Sequence, residues 1–220
     1  MTWNADEVLP LFPLQTVLYP GGALPLQIFE VRYLDMIGRC HREGLPFGVV
    51  TLSQGQEVQG APGAGPPGEA FALVGTAARI VSLERPQSGL LRILCEGGQR
   101  FRLAQSQRLR HGLWVGQVAE WLPADAPIAV PDDLQHVSRA LQDVLAQWAQ
   151  QAAQQGLGDD ALPVRAPHQL QDCAWLANRW CELLPLLPAD KQRLMALDNP
   201  LLRLELVADV LEREHGLPRP

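Results

Sequence analysis

At 220 residues, 47% of them hydrophobic, the chain is long enough to bury a substantial core and lies between one large domain and two small ones. Its 24 acidic against 18 basic side chains give a net charge of −6, which disfavours a long nucleic-acid backbone as the main partner. Its apolar runs are far shorter than the roughly 20 residues that span a bilayer, and residues 1–7 lack a basic segment followed by an apolar one, so no membrane association and a cytoplasmic location are expected.

Residues 1–122 are punctuated by Gly and Pro and carry short apolar runs, the pattern of a β-rich fold. Strands are expected at 8–11, 23–28, 48–52, 70–83, 90–95, 99–109 and 113–121, with alternation such as Phe101-Arg102-Leu103 marking one buried face. A closed or nearly closed barrel would remove their open edges. One helix interrupts them: from Glu30 to Glu43 the apolar residues Tyr33, Leu34, Ile37 and Cys40 recur at helical spacing, and Gly44 supplies the stop. The Gly/Pro tract from Gln59 to Gly68 has almost no side chain to bury and is expected to be a loop.

Residues 123–131 form a Pro-rich connector, after which helical periodicity takes over in 132–220. Between 132 and 155, Leu134, Val137, Leu141, Val144, Leu145 and Trp148 fall on one stripe; between 168 and 184, Leu170, Cys173, Ala174, Ala177, Trp180 and Cys181 do the same. Two further helices are expected to start at Pro188 and at Pro200, the second capped by Asn199, with Gly216-Leu217-Pro218 ending the last. The fold class is thus α+β: a β-rich pseudobarrel with one inserted helix, then a helical bundle. Trp148, Trp175 and Trp180 are read as packing residues rather than a ligand box.

The chemistry-bearing residues are sparse. Cys40, Cys95, Cys173 and Cys181 contain no Cys-x-x-Cys pair and are expected as buried free thiols; Cys40 and His41 lack the paired spacing of a metal site, so no metal and no cofactor are expected. No Gly-x-x-x-x-Gly-Lys-Ser/Thr string is present, and Ser53, Ser82, Ser88, Ser106 and Ser138 lack a nucleophile context beside the single lysine, Lys191. The pairs Asp132-Asp133 and Asp159-Asp160 sit at helix ends, where helix-dipole or solvated roles account for them. The expectation is a protein that is not an enzyme.

The segment Leu9-Pro10-Leu11-Phe12-Pro13-Leu14, followed by Val17-Leu18-Tyr19-Pro20-Gly21-Gly22-Ala23-Leu24-Pro25-Leu26-Gln27-Ile28-Phe29-Glu30-Val31-Arg32-Tyr33, strongly resembles the opening signature of the amino-terminal, substrate-recognition domain of Lon protease. Phe47-Gly48-Val49-Val50, the stretch from Val74 to Ile80, the stretch from Leu91 to Arg102, and the segments around Leu183–Met195 and Leu201–Glu214 continue that resemblance in order and spacing. It implies a PUA-like pseudobarrel followed by a helical bundle, and the missing phosphate loop and Ser-Lys context lead to the expectation of a domain standing alone without the ATPase and peptidase of the full enzyme. It also implies a binding role towards unfolded polypeptide or a partner protein, with weak self-association left open. The candidate peptide-binding residues are Phe12, Tyr19, Phe29, Glu30, Arg32 and Tyr33, at the strand-to-helix junction of the signature. The alternative is a PUA-like RNA-binding module, which requires Arg79, Arg92, Arg100, Arg102, Arg108 and Arg110 to converge on one face.

Overall fold

The computed structural model describes residues 8–54, 70–158 and 162–216; the Gly/Pro tract at 59–68 and the Asp159-Asp160 pair lie outside them. The chain divides into two compact units, one comprising Met1–Ala124 with Pro188–Gln192 and the other Asp125–Leu187 with Arg193–Pro220.

Among the described residues of the first unit's stretch 1–124, seven strands and one helix follow one another: β1 (Leu9–Leu14), β2 (Ala23–Ile28), α1 (Val31–Glu43), β3 (Phe47–Gln54), β4 (Ala70–Phe71), β5 (Val74–Gln87), β6 (Leu90–Arg108) and β7 (Trp114–Trp121). Strand β1 pairs with β7, β7 with β6, β6 with β5, β5 with β3, and β3 returns to β1 in parallel, with Leu11 opposite Gly48 and Leu14 opposite Thr51. Five strands therefore close a ring. This leaves no open edge on β1 and explains its unbroken apolar sequence, since all six of its residues are buried. Leu9 and Leu11 pack with Val50, Phe101 and Leu103 in one core cluster. Phe12 and Leu14 pack with α1 residues Tyr33, Met36, Ile37 and Cys40 in the other. Strand β2 lies outside the ring, antiparallel to the first half of β6, with Ala23 opposite Glu96 and Ile28 opposite Leu91.

The single strand expected at 70–83 is divided in two. Leu52 pairs with Phe71 in β4, whereas Val74 at the start of β5 pairs with Arg102 of β6, so Ala72 and Leu73 interrupt the strand before β5 takes its place between β3 and β6. Conversely, the two strands expected at 90–95 and 99–109 are one, because Gly97 continues the ladder opposite Ala78. The Gly97 amide donates to the Gly22 carbonyl at 2.8 Å, and its own carbonyl accepts from Gly21 at 2.7 Å. A side chain at Gly97 would run into the Tyr19 carbonyl oxygen, so the glycine is what lets the Tyr19-Pro20-Gly21-Gly22 turn sit against β6. That turn is closed by the Gly22 amide donating to the Tyr19 carbonyl at 2.9 Å, with Gly21 at φ 71°. The Tyr19 hydroxyl donates to the Lys191 carbonyl at 2.6 Å, and the Thr51 hydroxyl donates to the Gln192 side-chain oxygen, holding Pro188–Gln192 within this unit.

The second unit is helical: a short 3-10 turn (Asp132–Leu134) leads into α2 (Gln135–Gln154), followed by α3 (Cys173–Leu183), α4 (Pro188–Met195, whose first five residues belong to the other unit) and α5 (Pro200–His215). Helix α3 begins later than its apolar stripe suggests, because Asp172 accepts from the Trp175 amide at 2.8 Å and fixes the N-cap there. Ahead of that cap the chain pairs backbone to backbone with the connector: the Val130 amide donates to the Gln171 carbonyl and the Cys173 amide to the Ile128 carbonyl. Trp180 is buried and its indole N–H donates to the Val137 carbonyl at 3.1 Å, while Trp148 and Trp175 are half-buried. Arg203, 1% exposed, sits at the centre. Its guanidinium donates to Asp125 and to Asn178, both at 2.8 Å, to the Leu194 carbonyl and to the Leu197 carbonyl. One cation thereby joins the connector, α3 and the α4–α5 corner, with its hydrogen bonding satisfied as burial demands. No helix among the described residues is long and apolar enough to cross a membrane.

Candidate functional site

Four of the six residues singled out in the sequence lie below the surface. Phe12 and Tyr33 are buried and stacked on one another, ring centroids 4.1 Å apart and 17° from coplanar. Tyr19 is fully buried, with its hydroxyl bound to the Lys191 carbonyl. Arg32 is buried with its guanidinium 4.4 Å from the Tyr33 ring centroid, its Nε 3.0 Å from the Glu30 carboxylate and its Nη1 donating to the Gly112 carbonyl at 2.9 Å. Glu30 is half-buried at the N-cap of α1, where its backbone carbonyl accepts from the Tyr33 and Leu34 amides. Phe29 alone is largely exposed, at 56%, and its neighbour Val31 is more so, at 73%.

Phe12, Tyr19 and Tyr33 shape a surface rather than form it, and Arg32 both supports it and lines it. The Phe12–Tyr33 stack sets one face of α1 into the barrel core, and Arg32 ties the helix's first turn to the β6–β7 turn at Gly112. The opposite face of α1 is then left as one wall of a cleft of about 910 Å³. The remaining walls are the β5–β6 turn, from Arg85 to Leu91, and the β6–β7 turn at His111 and Leu113. Its floor is apolar, with Met36, Leu91 and Leu113 buried and Leu34 and Leu90 half-buried, while its rim carries Asp35, Arg39, Arg42 and Arg85. A cleft of this size falls within the roughly 300–1,000 Å³ typical of ligand sites. Of the six candidates only Arg32 lines this cleft; Phe29 and Glu30 precede its edge at Val31, and Arg39, Arg42, Arg85 and His111 were not identified as site residues from the sequence. For Arg42 the signal was the helical spacing of Val31, Asp35, Gly38 and Arg42 on the face of α1 opposite its apolar stripe; Arg85 and His111 are brought to it by other elements and carry no local signal.

The arginines of the RNA-binding alternative do not assemble into a stripe. Arg100 is buried, Arg79 is paired with Glu96 and Arg102 lies 3.8 Å from Glu120, so three of the six are neutralised or withdrawn. That alternative is not favoured. All four cysteines are free and buried. Burial pushes the thiols of Cys40 and Cys95 up to about 12 and that of Cys173 up to about 11, which keeps them protonated and poor as nucleophiles or metal ligands near neutral pH. Among the described residues no group of three or more His, Cys, Asp and Glu side chains is placed to hold a metal ion.

Residues 8–213 match the family model described as the ATP-dependent protease La (LON) substrate-binding domain. Over 103 residues the chain is 33% identical to Lon protease 2 of Myxococcus xanthus and 32% identical to Lon protease of Anaeromyxobacter dehalogenans, in each case covering 46% of this chain and 12% of the relative. The matched part is thus a small fraction of those longer proteins. Among solved structures, the Lon N-terminal domain protein from Xanthomonas campestris superposes with a TM-score of 0.68 at 30% identity, covering 92% of this chain and 97% of that one. The N-terminal domain of the Mycobacterium avium complex Lon protease, at 15% identity and a TM-score of 0.58, shares the fold over 94% of this chain and all of that one.

Proposed function

The chain belongs to the Lon substrate-binding domain family, and from that membership we propose that it is a non-catalytic module that binds unfolded polypeptide, or an extended segment of a partner protein, in the cleft beside α1. The observation that carries this reading is the cleft itself: an apolar floor open to solvent, with the exposed side chain of Val31 in its lining and that of Phe29 exposed two residues earlier. Such a surface suits a ligand recognised by apolar contact rather than by one fixed sequence. Among the six candidates Arg32 lines the cleft and Phe29 stands exposed two residues before its edge at Val31, with Glu30 between them, while Phe12, Tyr19 and Tyr33 hold the junction in place from beneath.

The test is titration of the full chain with a fluorescently labelled, permanently unfolded model polypeptide, compared with Phe29→Ser/Val31→Ser. Both side chains are already exposed, so the double variant should fold as the parent does. Loss of their contacts is expected to weaken binding about ten-fold, equivalent to about 1.4 kcal/mol. Unchanged affinity would move the site away from α1, and failure of several unrelated unfolded polypeptides to bind the parent would refute the reading itself.

A further inference from the structure

The cleft is basic in an acidic protein. The chain carries a net charge of −6, yet the cleft is lined by Arg32, Arg39, Arg42 and Arg85 against a single carboxylate, Asp35. Arg32 is engaged with Glu30 and Gly112, and Arg39 with Glu43 at 2.9 Å. Arg42 and Arg85 are exposed and neither forms an ion pair or hydrogen bond among the described residues. Two arginines thus face the same cavity with their charge uncompensated by the fold.

Gly38 is a second, independent feature of the same wall. It sits in the middle of α1, where glycine costs roughly 0.5–1 kcal/mol relative to alanine. No packed neighbour requires it, since a Cβ there would meet only Nη1 of Arg42, at 3.5 Å, an ordinary contact. The missing side chain instead leaves the wall of the cleft low, with the Arg42 guanidinium reaching over the helix backbone.

Building on the polypeptide-binding reading, we infer that the cleft selects acidic stretches of its ligand. Asp or Glu carboxylates of the bound segment meet Arg42 and Arg85, and apolar side chains between them rest on Leu34 and Leu90. Arginine suits this task because its planar guanidinium receives a carboxylate through two parallel hydrogen bonds and stays charged at any physiological pH. Gly38 admits the backbone of the segment close to the helix.

The experiment uses the full chain and two labelled peptides of equal length with identical apolar residues, one bearing Asp and Glu and the other Ser and Asn at the intervening positions. The acidic peptide is expected to bind about ten-fold more tightly at low ionic strength, an advantage that shrinks in 0.5 M salt as the Debye length falls to a few ångströms. In Arg42→Gln/Arg85→Gln the advantage should drop below about two-fold while the neutral peptide binds as before. Gly38→Leu should weaken both peptides. Equal affinity of the two peptides for the parent would overturn the inference and leave the binding reading intact, whereas absence of binding by either would remove both. A charge-matched RNA oligonucleotide that binds more tightly than the acidic peptide would also overturn it.

Discussion

Tyr19 and Gly97 fasten the opening signature to the barrel from two sides, one by what its side chain reaches and the other by having none. Gly97→Ala would force its Cβ into the Tyr19 carbonyl and separate the turn from β6, and a loss of about 2–3 kcal/mol in urea unfolding is expected. Gly38→Ala, by contrast, should raise stability by about 0.5–1 kcal/mol, since it gains helix propensity without a clash. The two glycines look alike in the sequence; only the position of the neighbouring backbone separates them. The buried thiols give a pH prediction. Folding raises the Cys40 and Cys95 values from 9.0 to about 12, so the folded chain retains protons that the unfolded chain releases. Their contribution to stability is complete below pH 9 and is lost as pH climbs from there towards 12. Native protein at pH 8 should accordingly leave Cys40 and Cys95 unmodified by a thiol reagent until denaturant is added, and rapid modification of either would show that its burial is wrong.

The elements were legible where local chemistry decides them. Helix α1 runs from Val31 to Glu43 and stops at Gly44, which takes φ 65°, because apolar period and stop signal agree. Helix α5 starts at Pro200 with the Asn199 side chain accepting from the Leu201 and Leu202 amides. Asn199→Ala should therefore cost about 1 kcal/mol in thermal unfolding, and no change would mean that the cap is dispensable. Elements were misread where tertiary contact overrides local signal. The Gly97-Gly98 pair has the composition of a turn yet continues β6, because it is the landing place of another turn 75 residues earlier in the chain. The buried cation Arg203 was equally invisible, since an arginine on an amphipathic helix normally belongs to its solvated face. Arg203→Met is expected to destabilise by about 3–5 kcal/mol, because the nearly buried Asp125 carboxylate loses its partner. The site residues divided along the same line. The aromatic and charged cluster of the signature was conspicuous in sequence, but its side chains are mostly turned into the fold, and the cleft they support is walled by β5–β6 residues about fifty positions away.

At the scale of the whole molecule, a closed five-stranded ring positions a single inserted helix so that one face completes the core and the other borders open space. Membership of the Lon substrate-binding domain family and this arrangement are the basis of the proposed binding role, with the cleft as its proposed surface. The most direct test is equilibrium binding of a permanently unfolded polypeptide to the parent chain and to Gly38→Leu, which puts a bulky side chain on the cleft wall at a position where a Cβ meets only the Arg42 guanidinium. The account predicts saturable binding to the parent, at least about ten-fold weaker binding to Gly38→Leu, and an unfolding midpoint no lower in the variant. Equal binding by the two proteins, with the fold of both intact, would contradict it.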